Sequence, residues 1–168
     1  MSRLLGLYRP LGVALGLVLV ALLLHPVAGR LRDDGSPRDR AVLDGVATTD
    51  VTGDVSTALG RIFSYTPADV STAQRAAADV LTGAAAEQYR QIFAQVQRQA
   101  PAQRVALTTR VTRAGVISLV GDTARLLVFL DQTATRAGRP DGTPAAAQLT
   151  VTAHRDDGHW RITELKSA

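Results

Sequence analysis

The sequence predicts an α+β domain carried behind an N-terminal membrane helix. Three observations predict it. An unbroken apolar run lies near the N-terminus. From Val42 to Val96, apolar residues recur mostly at steps of three and four, the helical period. After Pro101 the step changes to two and keeps that period to the C-terminus. Helical segments followed by a run of strands form helices packed on one face of an antiparallel sheet.

The first element is the run from Leu11 to Leu24, fourteen residues without a polar side chain. As a helix it spans about 21 Å, short of the roughly 30 Å of a hydrocarbon core. Extended through His25 and Pro26 to Ala28 it has 18 residues, enough to cross. Arg9 can reach back to the headgroups, and Pro10 suits a first helical turn, where its missing N–H costs nothing. A cleaved signal peptide shares the basic start and the apolar length. Val27-Ala28-Gly29 lacks the Ala-x-Ala form of a good cleavage site, which favours an uncleaved anchor. Two arginines lie on each side of the run, so orientation rests on the default of a short N-terminus inside and a large domain outside.

Residues 30–40 are polar, with Gly35 and Pro37, and read as a juxtamembrane linker. Ser36 caps a helix with Pro37 at its first position. Its apolar face is Val42, Val46, Val51, Val55, Ala58, Leu59, Ile62 and Phe63, and it ends before Pro67. A second helical stretch starts near Asp69 and reaches about Thr82, where Gly83 punctuates it. A third carries Ala85, Tyr89, Ile92, Phe93 and Val96 on one face and stops at Pro101.

Strands follow. Val105, Leu107, Thr109 and Val111 form one inward row, and Gly115 marks a bulge because Val116, Ile117 and Leu119 fall out of phase. Gly121-Asp122 is a turn. Ala124, Leu126, Val128 and Leu130 form the next inward row, and residues 134–144 read as a hairpin loop. Leu149, Val151 and Ala153 form the third row. Asp156-Asp157-Gly158 is the clearest turn. His159 to Leu165 closes a sheet of about four strands, with Trp160 and Ile162 facing in. The organisation is therefore a membrane anchor at 1–29 with its helix at about 11–28, a linker and stem helix at 30–65, and an extracytoplasmic α+β domain at 66–168.

Composition narrows the function. The 168 residues allow one domain and an appendage. Apolar residues make up 46% but aromatics only 4%, so the core is aliphatic. The absence of cysteine excludes disulfides, thiolate zinc sites and thiol catalysis. The net charge of +4 comes from Arg3, Arg9, Arg30 and Arg32, with no acid among residues 1–32. The other 15 basic residues balance all 15 acids, so the folded part has no basic excess to hold nucleic acid.

The order of anchor, Ala-rich stem, Ile62-Phe63-Ser64-Tyr65, Leu81-Thr82-Gly83, Tyr89 and the terminal Asp157-Gly158-His159-Trp160-Arg161-Ile162 resembles the Mce-associated membrane proteins of actinobacteria. The ending is shared with cone-shaped domains related to nuclear transport factor 2. The resemblance implies a cone-like domain held outside the membrane. It also implies an accessory, non-enzymatic role beside an Mce-type lipid-import complex, with protein partners in that complex. It supplies no catalytic residue.

The residues offer little chemistry of their own. His154 and His159 flank the Asp156–Gly158 turn and, with Asp156 or Asp157, are a conceivable metal set; solvated turn residues are the plainer reading. Asp131 at the end of an apolar strand, with Tyr65 or Tyr89, is a conceivable acid–base dyad in a cone mouth. Against it stands an outward Asp131 and tyrosines that pack by their rings. Trp160 reads as core rather than as a stacking platform. No catalytic, cofactor-binding or metal-ligating residue is assigned. A closed, filled cone would favour the accessory role. An open apolar cavity would favour a ligand-binding cone, with a lipid as its ligand, and a buried Asp131 beside a tyrosine would favour a small isomerase-like enzyme.

Overall fold

A computed structural model describes residues 45–137 and 139–168. The expected membrane helix at 11–28, the linker and the Ser36 helix start lie outside the described residues. Among the described residues no helix is long and apolar enough to cross a membrane.

Three helices come first: α1 Gly45–Ile62, α2 Ser71–Val80 and α3 Gly83–Gln103. Four strands follow: β1 Val105–Val120, β2 Thr123–Arg136, β3 Arg139–Asp156 and β4 His159–Ser167. They form one antiparallel sheet in the order β1-β2-β3-β4, the expected meander. The helices pack on one face, so the architecture is α+β as predicted.

The helix read as a stem is a packed part of this fold. Val51, Val55, Leu59 and Ile62 are fully buried in the common core. α1 touches both edge strands, β1 and β4, so the sheet curls around it. Val46, expected on the same apolar face, is 73% exposed, because the packed part of α1 begins only at Val51. α2 is shorter than the expected stretch. Asp69 precedes it and accepts bonds from the Thr72 N–H at 3.1 Å, the Thr72 hydroxyl at 2.5 Å and the Ser71 hydroxyl at 2.9 Å. These bonds, that to the Thr72 hydroxyl first, hold its carboxyl below its ordinary range.

α3 does not stop at Pro101 but runs on to Gln103. A proline removes its own donor and crowds the carbonyl four residues earlier, but this one falls in the last turn, where only two residues follow it in the helix. Arg104 then takes a left-handed φ of 52° and donates its N–H to the carbonyls of Ala100 and Pro101, closing the helix. Arg136 on β2 donates to the Gln103 side chain at 3.1 Å, which ties that last turn to the sheet.

The inward rows of the sheet are those the alternation predicts. Ala124, Leu126, Val128, Leu130, Leu149, Val151, Ala153 and Ile162 are essentially inaccessible. Trp160 also faces in and is buried. Two details differ. Gly115 is in register with Leu127, and the irregularities flank it, between Val111 and Arg113 and between Val116 and Ser118. Residues 134–144 are not a loop. β2 runs to Arg136, β3 starts at Arg139, and Ala134 and Thr133 pair with Thr143 and Pro144. β4 reaches only to Leu149 in its pairing, so among the described residues the outer side of β3 before that residue has no neighbouring strand. A proline, which cannot donate to a ladder, is tolerated on such an edge.

Candidate functional site

The end of the sheet at which β1 begins holds a hollow. Ile62 and Phe63 from the end of α1, Tyr65 from the following segment, and Tyr89, Ile92 and Phe93 from α3 form its helical wall. Leu107, Gln132 and Leu165 from β1, β2 and β4 form the sheet side. Tyr65 is drawn in by a two-way backbone pairing with Leu107, at 2.9 Å in each direction.

Four aromatic rings line and narrow this space. Tyr89 stacks on Phe93 with centroids 4.8 Å apart, Phe63 tilts against Tyr89 at 6.1 Å, and Tyr65 meets Phe93 edge-on at 6.3 Å. These are the offset and edge geometries that ring quadrupoles favour. Counted out into open solvent the hollow measures about 530 Å³, but the space inside it is only about 30 Å³. The smaller figure decides what fits: it admits a water or two, where small-molecule sites run to roughly 300–1,000 Å³.

Tyr89 and Gln132 each place a polar group of the hollow on a partner within the protein. Tyr89 donates its hydroxyl to the Ile62 carbonyl at 2.8 Å, capping an otherwise unpaired helix end. Gln132 donates from Nε2 to Thr109 Oγ1 at 3.0 Å, and Thr109 donates onward to the Phe63 carbonyl at 2.7 Å. Ser64 accepts from the Thr109 N–H at 2.9 Å. Gln132 and Thr109 are the two buried polar residues among those described. Burial pushes the Tyr65 hydroxyl up to about 12, and the Tyr89 hydroxyl further the same way, with the neighbouring Tyr65 as a lesser cause. Both are neutral at physiological pH.

The conceivable dyad is not assembled. Asp131 does not end a strand; it lies within β2, between the buried Leu130 and Gln132, and so projects from the opposite face, where it is exposed. The position that faces the tyrosines is Gln132, an amide and not an acid. Sequence reasoning passed over Gln132, although it lies two residues beyond Leu130 on the same inward row. His154, Asp156, Asp157 and His159 are all exposed at the β3–β4 turn. The His154 ring nitrogen Nδ1 lies 3.3 Å from the Thr123 hydroxyl. Among the described residues no group of three or more His, Cys, Asp or Glu is placed to hold a metal ion. The Trp160 indole N–H is buried without a partner among the described residues.

No family model matches the chain. The sequence is 34% identical over 105 residues to the uncharacterized protein Rv1362c of Mycobacterium tuberculosis, a match taking in 62% of this chain and 48% of the other. The chain thus spans about half the length of that relative. It is 32% identical over 149 residues to the outer membrane protein Rv1973 of the same organism, covering 88% of this chain and 90% of that one. In structure it is similar to CagV of Helicobacter pylori, a VirB8 homologue of a type IV secretion system. The TM-score is 0.57 at 12% identity, over 73% of this chain and 98% of CagV. That likeness shows a shared cone-type α+β fold. The identity and near-complete overlap with Rv1973 show more: the chain belongs to the family of that mycobacterial outer membrane protein.

Proposed function

We propose that the chain is a non-enzymatic accessory protein of the cell envelope. Residues 11–28 tether it to the cell membrane with the N-terminus cytoplasmic, and the α+β domain acts outside as a scaffold beside an Mce-type lipid-import complex. The filled hollow carries this reading. Its rings pack on each other, the Tyr89 hydroxyl and the Gln132 amide are spent on backbone and side-chain partners, and Asp131 faces away. A ligand-binding cone needs space this hollow lacks, and an acid–base enzyme needs a titrating group in it.

Two comparisons support the envelope setting. A family member is named an outer membrane protein, and CagV, of the same fold, is a VirB8 homologue of a type IV secretion system. The link to lipid import rests on the motif resemblance set out above. A tethered domain searches only near the membrane, so weak contacts suffice for a scaffold. Affinity purification of the full chain from detergent-solubilised membranes tests the proposal. Mce-complex subunits should co-purify, in amounts unchanged by Tyr65→Phe. Recovery of the chain without them contradicts the lipid-import assignment.

A further inference from the structure

Large apolar side chains are exposed together at one end of the domain. Val46 is 73% exposed, Ile117 54% and Val120 71%. The course of α1 brings these positions to the same end. Its last turns lie against the first third of β1. Thr109 donates its hydroxyl to the Phe63 carbonyl at 2.7 Å, and a Cβ on Gly60 would stand 3.7 Å from the Thr109 carbonyl. Further along β1, Val111, Ala114, Val116 and Leu119 are half-buried against the core, and α1 is the helix that packs most along that strand. α1 therefore runs antiparallel to β1, with its start toward the β1–β2 turn. Its 18 residues make about 27 Å of helix, which matches about eight residues of strand. Counted from Thr109, Val46 is about level with Ile117, and Leu119 and Val120 reach beyond the start of the helix.

We propose that this end of the domain rests on the lipid bilayer, with Ile117 and Val120 in contact with lipid. The proposal rests on the reading of residues 11–28 as a tether. Two observations point to lipid as the occupant. The chain joins α1 at this end, and residues 29–44 alone separate Gly45 from the apolar run. A segment of that length spans at most about 55 Å, and a flexible one averages about 20–25 Å. The end of the domain nearest the tether is therefore the apolar one. The second observation is the pattern of the tip. Val116-Ile117-Ser118-Leu119-Val120 places apolar side chains on both faces of the strand, whereas β3 alternates Leu149, Val151 and Ala153 with Gln148, Thr150 and Thr152. Apolar side chains scattered singly over a surface need no explanation, but a cluster of them marks an interaction site. Elements that lie on a membrane bury such side chains at the boundary of headgroups and acyl chains. The charges at this end do not select an anionic surface. The β1–β2 and β3–β4 turns adjoin, the Arg155 N–H donating to the Asp122 carbonyl at 2.8 Å. They carry Asp122, Asp156 and Asp157 with Arg125, Arg155 and Arg161 beside them, all exposed. The signs balance, so a zwitterionic headgroup layer suits them and the attraction is apolar. The end at which β1 begins, with the hollow, then points away from the bilayer.

The test uses the full chain, which contains no cysteine, reconstituted in phosphatidylcholine nanodiscs. A polarity-sensitive fluorophore is attached to Val120→Cys, to Ile117→Cys and, toward the opposite end, to Arg98→Cys at an exposed position of α3, with folding checked by circular dichroism. Emission from the Val120 and Ile117 sites should shift to the blue, be quenched by nitroxide-bearing lipids and resist aqueous iodide. The Arg98 site should be quenched by iodide and not by lipid. Adding phosphatidylglycerol should leave this pattern unchanged. Tip labels that iodide quenches and lipid does not, in a chain that has entered the discs, overturn the proposal and leave the tether standing. Tip labels shielded from both quenchers overturn it too, because protein then covers the tip, whether residues 29–44, a second copy or another chain. A chain that fails to enter the discs removes the tether reading and the proposal with it.

Discussion

Thr109 accepts a hydrogen bond from Gln132 and donates one to the Phe63 carbonyl, so two buried polar groups depend on it. Thr109→Val leaves both without that partner and should cost about 1–3 kcal/mol. Gln132→Leu removes a polar group whose partner keeps its other bond, and should cost less than about 1 kcal/mol. Urea denaturation of the two variants checks the order; equal losses would mean the two bonds are not coupled in this way. Trp160 is a second residue with a definite expectation. Trp160→Ala should cost about 3–5 kcal/mol, because it empties a large buried site. Trp160→Phe should cost far less, since the indole N–H it removes has no partner among the described residues. Residue positions were legible from alternation. It sets Thr109 inward, and carried two residues past Leu130 it sets Asp131 outward and Gln132 inward. Their bonds were not legible, because the partner of Thr109 is a carbonyl 46 residues away.

The elements show where local pattern suffices and where tertiary setting overrides it. The period of three and four marked α1 and α3, and the period of two marked every strand. The Gly and Pro content of 134–144 signals a loop, yet the segment pairs as a hairpin, its prolines tolerated because, among the described residues, β3 has no neighbour on its other side there. Pro101 was read as a stop, yet it costs little in a last turn that Arg104 and Arg136 secure. The burial of α1 could not be read from the sequence, since a stem helix and a packed helix show the same apolar stripe. Leu59 lies fully buried in it. Leu59→Ala should therefore lower the stability of the whole domain by about 2–5 kcal/mol, seen as one cooperative shift in its thermal or urea transition. A transition unchanged by that substitution would make α1 a stem after all.

Among the described residues, helices on one face of a curled sheet leave a narrow, ring-lined hollow at one end. The hollow gives the fold a pH signature. Tyr65 and Tyr89 are held neutral by burial, with Tyr65 at about 12 against an ordinary value of 10.0. The unfolded chain ionises these groups first, so stability should be level up to about pH 10 and fall as pH rises toward 12. The urea midpoint between pH 8 and pH 12 checks this, and Tyr65→Phe should reduce the fall. The central claim is that the domain works as a scaffold and not through its hollow. It is tested most directly by the abundance of the Mce complex in membranes of cells from which the chain is deleted and then restored. Deletion should lower that abundance, and a chain carrying Tyr65→Phe and Gln132→Leu together, with two polar groups removed from the hollow, should restore it in full. If that variant were folded and abundant yet behaved like the deletion, the hollow would be a working site and the scaffold account would be contradicted.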